Sequence, residues 1–196
     1  MPWPLEAQLI DPADEIAYNS ADLDDAFSAH FFGLEEAGAS VPALGAILGE
    51  IENQFPGAPE RIRFNEALRR LIDLLVTGLI EGTAKAAEEA GLADVEGVRG
   101  HPVRTARLAE PAAGTNAALK QFLRRQVYFS PVLAEERGRS AAMIAELFDH
   151  FVRHPERLPE SYREGTAGEA THRVVCDYIA GMTDGFFRRT HEQELG

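Results

Sequence analysis

At 196 residues with 45% hydrophobic side chains, the chain is long enough for one good-sized core, and nothing in its composition forces a second domain. A formal net charge of −13 sets its surface field against nucleic acid and anionic membranes, so general nucleic-acid binding and a membrane role are not expected, although an acidic total does not forbid a local basic pocket. Asp73 interrupts the most apolar run, Leu71 to Ile80, well short of the ~20 residues that cross a bilayer, and the single cysteine, Cys176, lies in an apolar run where a buried, inert thiol is expected, as suits a cytoplasmic protein.

The predicted elements are all helices, because Ala, Leu, Glu and Arg are plentiful and β-branched runs are short. The expected fold is therefore all-α, an array of about six or seven helices forming one domain over residues 1–196. In the first helix Asp14, Tyr18 and Asp22 recur at i, i+4 and i+8, with Asp25 three further on. One stripe is thus acidic with an aromatic in its middle, while Ile16, Leu23 and Phe27 fall on the opposite side. This helix starts either at Asp11, as N-cap with Pro12 at N1, or near Leu5 with a kink at Pro12. Phe31, Phe32 and Gly33 close it.

Val41 to Phe55 reads as the second helix, with Leu44, Ile47, Leu48, Ile51 and Phe55 on one face. The third runs from Glu60 to a Gly91 stop, with Ile62, Leu68, Leu71, Ile72, Leu75, Leu79 and Ile80 at helical spacing. Residues 91–114 read as a loop whose Arg99, His101, Arg104 and Arg107 form the most basic patch, either a flap for phosphates or a solvated surface. Thr115 or Asn116 caps a helix ending near Ser130-Pro131, on which Lys120, Arg124 and Tyr128 form a polar stripe. A further helix spans about Val132 to Arg153. Its His150 and the following His154 have a metal-capable spacing but no third ligand nearby, so charges at a helix end account for them better. After a turn-rich connector with one helical turn at Leu158 to Tyr162, the last helix starts near Ala167 and carries Val174, Val175, Tyr178, Ile179 and Met182. Its apolar face continues through Phe186 and Phe187. No Gly-x-Ser-x-Gly, Cys-x-x-Cys or Gly-rich phosphate loop appears, so nucleophilic catalysis has nothing to rest on.

The words Leu5-Glu-Ala-Gln8, Ala13-Asp-Glu-Ile-Ala-Tyr-Asn19 and Asp22-Leu-Asp-Asp25, followed in order by Leu119 to Leu123, Val127-Tyr128, Arg173 to Val175 and Asp177 to Asp184, resemble the C-terminal half of the bacterial deoxyguanosinetriphosphate triphosphohydrolases, members of the HD-domain phosphohydrolases. Arg69 to Asp73 is similar to another segment of that family, whereas Thr77-Gly78 stands where the family usually has Thr-Asp. The resemblance implies that Asp14 is the last ligand of a divalent metal site, Mg or Mn, and that Tyr18 and Asp22 lie against a deoxyribose, with Asp22 on its 3′-hydroxyl. Tyr128 matches a tyrosine bordering the nucleotide pocket, and Lys120, on the same stripe, joins it as a candidate substrate-binding residue. The implied reaction is attack of water on a deoxynucleoside triphosphate at its α-phosphate, releasing deoxynucleoside and triphosphate.

The family's metal site also needs a His and an adjacent His-Asp pair. No His-Asp dipeptide occurs here, and Asp149-His150 is the reverse order. The expectation is therefore of a half-enzyme that holds one metal ligand and the sugar-recognition face. It would be inactive alone and completed by a second chain that carries the His-Asp half or by residues lost upstream, and the chain is expected to form a homo-oligomer or to bind that second chain. A non-catalytic helical module that binds a nucleotide or a partner is the alternative.

Overall fold

The computed structural model describes residues 3–164 and 168–196, which contain helices and no strands. The chain divides into two compact units, Met1–Ser130 and Pro131–Gly196.

In the first unit the long helix α4 (Glu60–Glu89) is the spine, and α1 (Leu5–Ser28), α3 (Pro42–Gln54) and α6 (Ala112–Leu123) pack on it. Its buried residues Phe64, Ala67, Leu71, Leu75 and Leu79 follow one another at three- or four-residue steps. The expected apolar face is shifted from this one, since Ile62, Ile72 and Ile80 lie exposed on the flank. Phe64 stacks on Phe27 of α1 at 3.9 Å between ring centroids, and Phe122 of α6 meets Phe32 edge-on at 4.8 Å. Each such pair contributes roughly 0.5–1.5 kcal/mol beyond area burial. Two short helices, α2 (Leu34–Ser40) and α5 (Val95–Gly100), were not foreseen, and α5 is capped by the Asp94 side chain, which accepts from the Gly97 N–H at 2.8 Å.

Two helix ends follow one rule with different residues. At the C-terminus of α4, Leu92 N–H donates to the Ala87 carbonyl and Gly91 N–H to that of Glu88, with Gly91 at φ +64°. The end of α1 repeats the pattern, Phe31 to Ala26 and His30 to Phe27, but His30 occupies the left-handed position at φ +60°. The stop therefore falls before the Phe31 to Gly33 segment expected to close the helix.

Helix α1 is continuous from Leu5, which decides between the two starts offered by the sequence. Pro12 lies inside it and cannot donate to the Gln8 carbonyl, the acceptor four residues back. The Arg104 guanidinium donates to that carbonyl instead, and also reaches the Asp11 carboxylate at 3.1 Å. The buried Gln8 side chain completes the strap, since its Oε1 accepts from Thr105 N–H at 2.8 Å and its Nε2 donates to the Trp3 carbonyl at 3.1 Å. The 91–114 segment thus binds α1 rather than lying open. Its other arginines are also ion-paired, Arg99 with Glu96 at 3.3 Å and Arg107 with Glu89 at 2.6 Å. Its later part lies directly on α4, where a Cβ on Gly82 would stand 2.3 Å from the Ala109 nitrogen and one on Gly78 2.2 Å from the Ala112 Cβ. The Gly at position 78 is the bare surface that this approach requires.

Helix α6 begins at Ala112, so Thr115 and Asn116 are buried inside it and do not cap it. Past Leu123 the helix widens into a single π turn, Arg124–Tyr128, in which Phe129 N–H donates to the Arg124 carbonyl five residues back at 3.0 Å.

The second unit contains α7 (Pro131–Arg153), α8 (Glu160–Glu164), α9 (Thr171–Ala180) and α10 (Asp184–Leu195). Its core is Leu147, Phe151, Leu158, Val174, Val175 and Tyr178, with Phe187 and Met182 packed against it. The expected start of the last helix at Ala167 lies outside the described residues. That helix is two, broken at Gly181 and restarted by Thr183, whose Oγ1 accepts from the Phe186 N–H at 3.4 Å. Cys176 is exposed, contrary to expectation, because Val174, Val175 and Tyr178 take the inward face of α9. His150 and His154 meet carboxylates instead of each other's metal, at 3.1 Å to Glu194 and 3.2 Å to Glu156.

Arg104→Ala should leave the Gln8 carbonyl without its donor and cost about 1–3 kcal/mol of stability. In a Pro12→Ala background the helix itself supplies the missing N–H, so the same substitution should cost clearly less. Urea melts of the four proteins of this double-mutant cycle measure the coupling, and equal costs in both backgrounds would refute the strap.

Candidate functional site

A cleft of about 820 Å³ opens between α1 and the α6–π-turn segment, lined by Glu15, Tyr18, Asn19, Lys120, Arg124, Tyr128 and Phe129. It exists because α1 offers two faces. Ile16, Leu23 and Phe27 go to the core, and the stripe carrying Tyr18 and Asp22 is left at the surface beside α6.

The two walls are joined by a polar chain. Asn116 Nδ2 donates to Glu15 Oε1 at 2.6 Å, Lys120 Nζ donates to Glu15 Oε2 at 2.9 Å, and Asn19 Nδ2 donates to Asn116 Oδ1 at 3.4 Å. Burial pushes the Glu15 carboxyl up, but the hydrogen bonds from Lys120 and Asn116 outweigh it and hold the group below the ordinary carboxylate range. Asn116 is the residue whose type suggested a cap. In the helix interior its amide is satisfied by α1 instead.

Further along, the Tyr128 phenol donates to Asp22 Oδ2. Burial, then the hydrogen bond to the Asp22 carboxylate and its negative charge, push the Tyr128 phenol well above its ordinary value, and Tyr18 adds to the effect. The Tyr18 ring is 60% exposed at the cleft mouth. Opposite it Arg124 lies over the exposed Phe129 ring, 5.2 Å from its centroid.

Of the residues singled out from sequence, Tyr18, Lys120 and Tyr128 line this cleft, and Asp22 joins it through Tyr128. Lys120 is there as the partner of Glu15, with its ammonium about half exposed. Asp14 stands apart, exposed on α1, and among the described residues no three His, Cys, Asp or Glu side chains gather as a metal site. Sequence reading missed Glu15, Asn19, Asn116 and Phe129. The signal for the first two was the Ala13-to-Asn19 word itself, which contains them. Phe129 gave none, because its place depends on the π turn.

The family model for the phosphohydrolase-associated domain matches residues 106–193. Curated relatives match nearly the whole chain. The deoxyguanosinetriphosphate triphosphohydrolase-like protein of Caulobacter sp. (strain K31) is 36% identical over 193 residues, which is 96% of this chain and 48% of that protein. Proteins of the same description from Jannaschia sp. (strain CCS1) and Geobacter sulfurreducens are 32% and 31% identical, over 97% and 96% of this chain and 49% and 50% of their own lengths. The chain thus spans about half the length of the curated relatives it matches. Among the described residues no helix is long and apolar enough to cross a membrane.

The Tyr128 shift carries a pH prediction. A phenol whose folded value is raised contributes stability that is fully present below its unfolded value, near 10, and lost as pH rises through the higher folded value. Tyr128→Phe should therefore cost a constant amount of stability from neutral pH to about 10 and progressively less above it. Denaturant melts across that range, with tyrosinate absorbance to follow ionisation, measure this. A cost that grows above pH 10 would contradict the assignment.

Proposed function

Since the chain belongs, along nearly its whole length, with the deoxyguanosinetriphosphate triphosphohydrolase-like proteins, we propose that its α1–α6 cleft is the sugar-recognising half of a deoxynucleoside triphosphate triphosphohydrolase site. The observation that carries this reading is the placement of Tyr18 and Asp22 one helical turn apart on α1, opposite Tyr128. A ring against C2′ of the sugar leaves no space for a 2′-hydroxyl. One turn on, Asp22 accepts from the 3′-hydroxyl while its Oδ2 is held by Tyr128, so the carboxylate is fixed in direction before the substrate arrives. Lys120 and Arg124 are the cleft's cations and suit the anionic end of a nucleotide, against the acidic balance of the whole chain.

In this reading Asp14 is a ligand to Mg or Mn. One exposed carboxylate leaves such an ion mostly to water, so the residues present do not by themselves fit a metal site. This chain's own side chains bind and orient the sugar, and the groups that act on the phosphate belong to a complementary half, supplied by the longer form of the protein or by another chain. The single isolated carboxylate also favours a second reading, a non-catalytic module that holds a deoxynucleotide or a partner subunit.

The chain alone, given dGTP with Mg or Mn, should release no triphosphate. With the complementary half of a relative supplied, Asp22→Ala should lower kcat/KM for dGTP by about ten- to a hundredfold, the loss of a hydrogen bond to a charged acceptor. Tyr18→Ala should instead raise turnover of GTP relative to dGTP, and Asp14→Ala should abolish turnover. Equal small losses in all three variants, with the sugar preference unchanged, would make the stripe structural.

A further inference from the structure

The cleft holds a third aromatic side chain, which the sugar contacts leave unused. Phe129 lines it with its ring 64% exposed. The π turn puts it there. Residues five apart on a regular α-helix point about 140° away from each other. The widened turn joins Arg124 and Phe129 by its backbone hydrogen bond and brings their side chains together instead. The Arg124 guanidinium lies over the ring, 5.2 Å from its centroid, and has no carboxylate partner among the described residues. Lys120, one turn earlier, is by contrast held by Glu15 at 2.9 Å.

The pairs that cross the cleft fix where along it this ring stands. Glu15 meets Lys120 at one end, and Asp22 meets Tyr128 at the other. Tyr18 lies between Glu15 and Asp22 on α1, and Arg124 lies between Lys120 and Tyr128 on the opposite wall, so Arg124 and its ring are level with Tyr18. In a sugar whose C2′ meets Tyr18 and whose 3′-hydroxyl meets Asp22, the neighbouring C1′ bears the base. The wall that faces the base at that level is Phe129, and an exposed aromatic ring binds a base through its face. An anion that engages Arg124 takes the cation off the ring and leaves that face bare.

We propose that Phe129 is the base-stacking residue of this cleft and that Arg124 rests on it as a removable cover, drawn off by the anionic end of a nucleotide. The proposal rests on the sugar-site reading above and supplies what that reading leaves open, the place of the base. Stacking strength grows with the overlap of the rings, so a purine gains more from Phe129 than a pyrimidine does.

The test is an NMR titration of the full 196-residue chain with deoxyguanosine, deoxycytidine, deoxyribose 5-phosphate and dGTP, with a thermal melt of each variant. Phe129→Ala should weaken deoxyguanosine binding about tenfold and deoxycytidine binding less, without weakening deoxyribose 5-phosphate. Phe129→Leu, which keeps apolar bulk, should do the same if the alanine variant melts early, and Phe129→Trp should restore the purine. Arg124→Ala should weaken dGTP while binding deoxyguanosine at least as tightly as wild type, because the cover is gone. Wild-type deoxyguanosine affinity in Phe129→Ala would overturn the stacking role, and equal losses of dGTP and deoxyguanosine in Arg124→Ala would overturn the cover. Losses in Tyr18→Ala and Asp22→Ala without one in Phe129→Ala would defeat the base platform alone. A loss in Phe129→Ala without one in those two variants would defeat the sugar reading alone, and no binding of any probe by wild type would defeat both.

Discussion

Helix α1 has to remain one continuous element through Pro12, because everything on its outer surface depends on register. Tyr18 and Asp22 face the same cleft only if they are one uninterrupted turn apart, and Asp14 precedes Tyr18 by the same interval. An interior proline ordinarily costs about 3 kcal/mol and bends the helix away from itself. Here the carbonyl that the proline orphans is bonded by Arg104, and the backbone beside Arg104 is pinned by the buried Gln8 amide. The segment whose charge left open a flap for phosphates or a solvated surface is the brace of the helix, and its arginines are ion-paired within the chain.

The same economy of charge holds inside the cleft. Lys120, a candidate substrate-binding residue by its stripe, is ion-paired with Glu15, which also takes the Asn116 amide. An exposed ion pair of this kind contributes little to stability, typically under about 1 kcal/mol. Its effect is on geometry, because Glu15 spans from α1 to two successive turns of α6 and fixes the width of the cleft. Asp22 and Tyr128 form the matching tie at the other end, and the raised Tyr128 value keeps the phenol a donor throughout the neutral range.

The all-helical class and the run of the long helices could be read from the sequence because they depend on local periodicity and on glycine stops, as at Gly91. The errors have physical causes of a different kind. At His30 a non-glycine residue takes the left-handed position, so composition gave no stop signal. Asn116 has the chemistry of a cap, and only the arrival of Glu15 from 101 residues away makes it a helix-interior residue. Cys176 sits in an apolar run whose hydrophobic members all turn to one side of α9, which averaging over the run conceals. Of the site, the stripe on α1 was legible since one helix carries it. The polar tie and the Arg124–Phe129 pair were not, because each depends on how a π turn and a second helix meet that stripe.

The carboxylates on the outer stripe of α1 differ in how far the rest of the chain covers them, Asp14 being exposed and Asp22 half-buried. A carboxylate as exposed as Asp14 interacts with a cation through water, where the attraction between unit charges 4 Å apart is only about 1 kcal/mol. The same pair near a partly desolvated surface, with an effective dielectric of about 20, gains roughly fourfold. Asp22 differs from Asp14 in being held from the π turn after α6, where the Tyr128 phenol donates to its Oδ2. The strength of any charge interaction at Asp14 is therefore set by how far its surroundings exclude water.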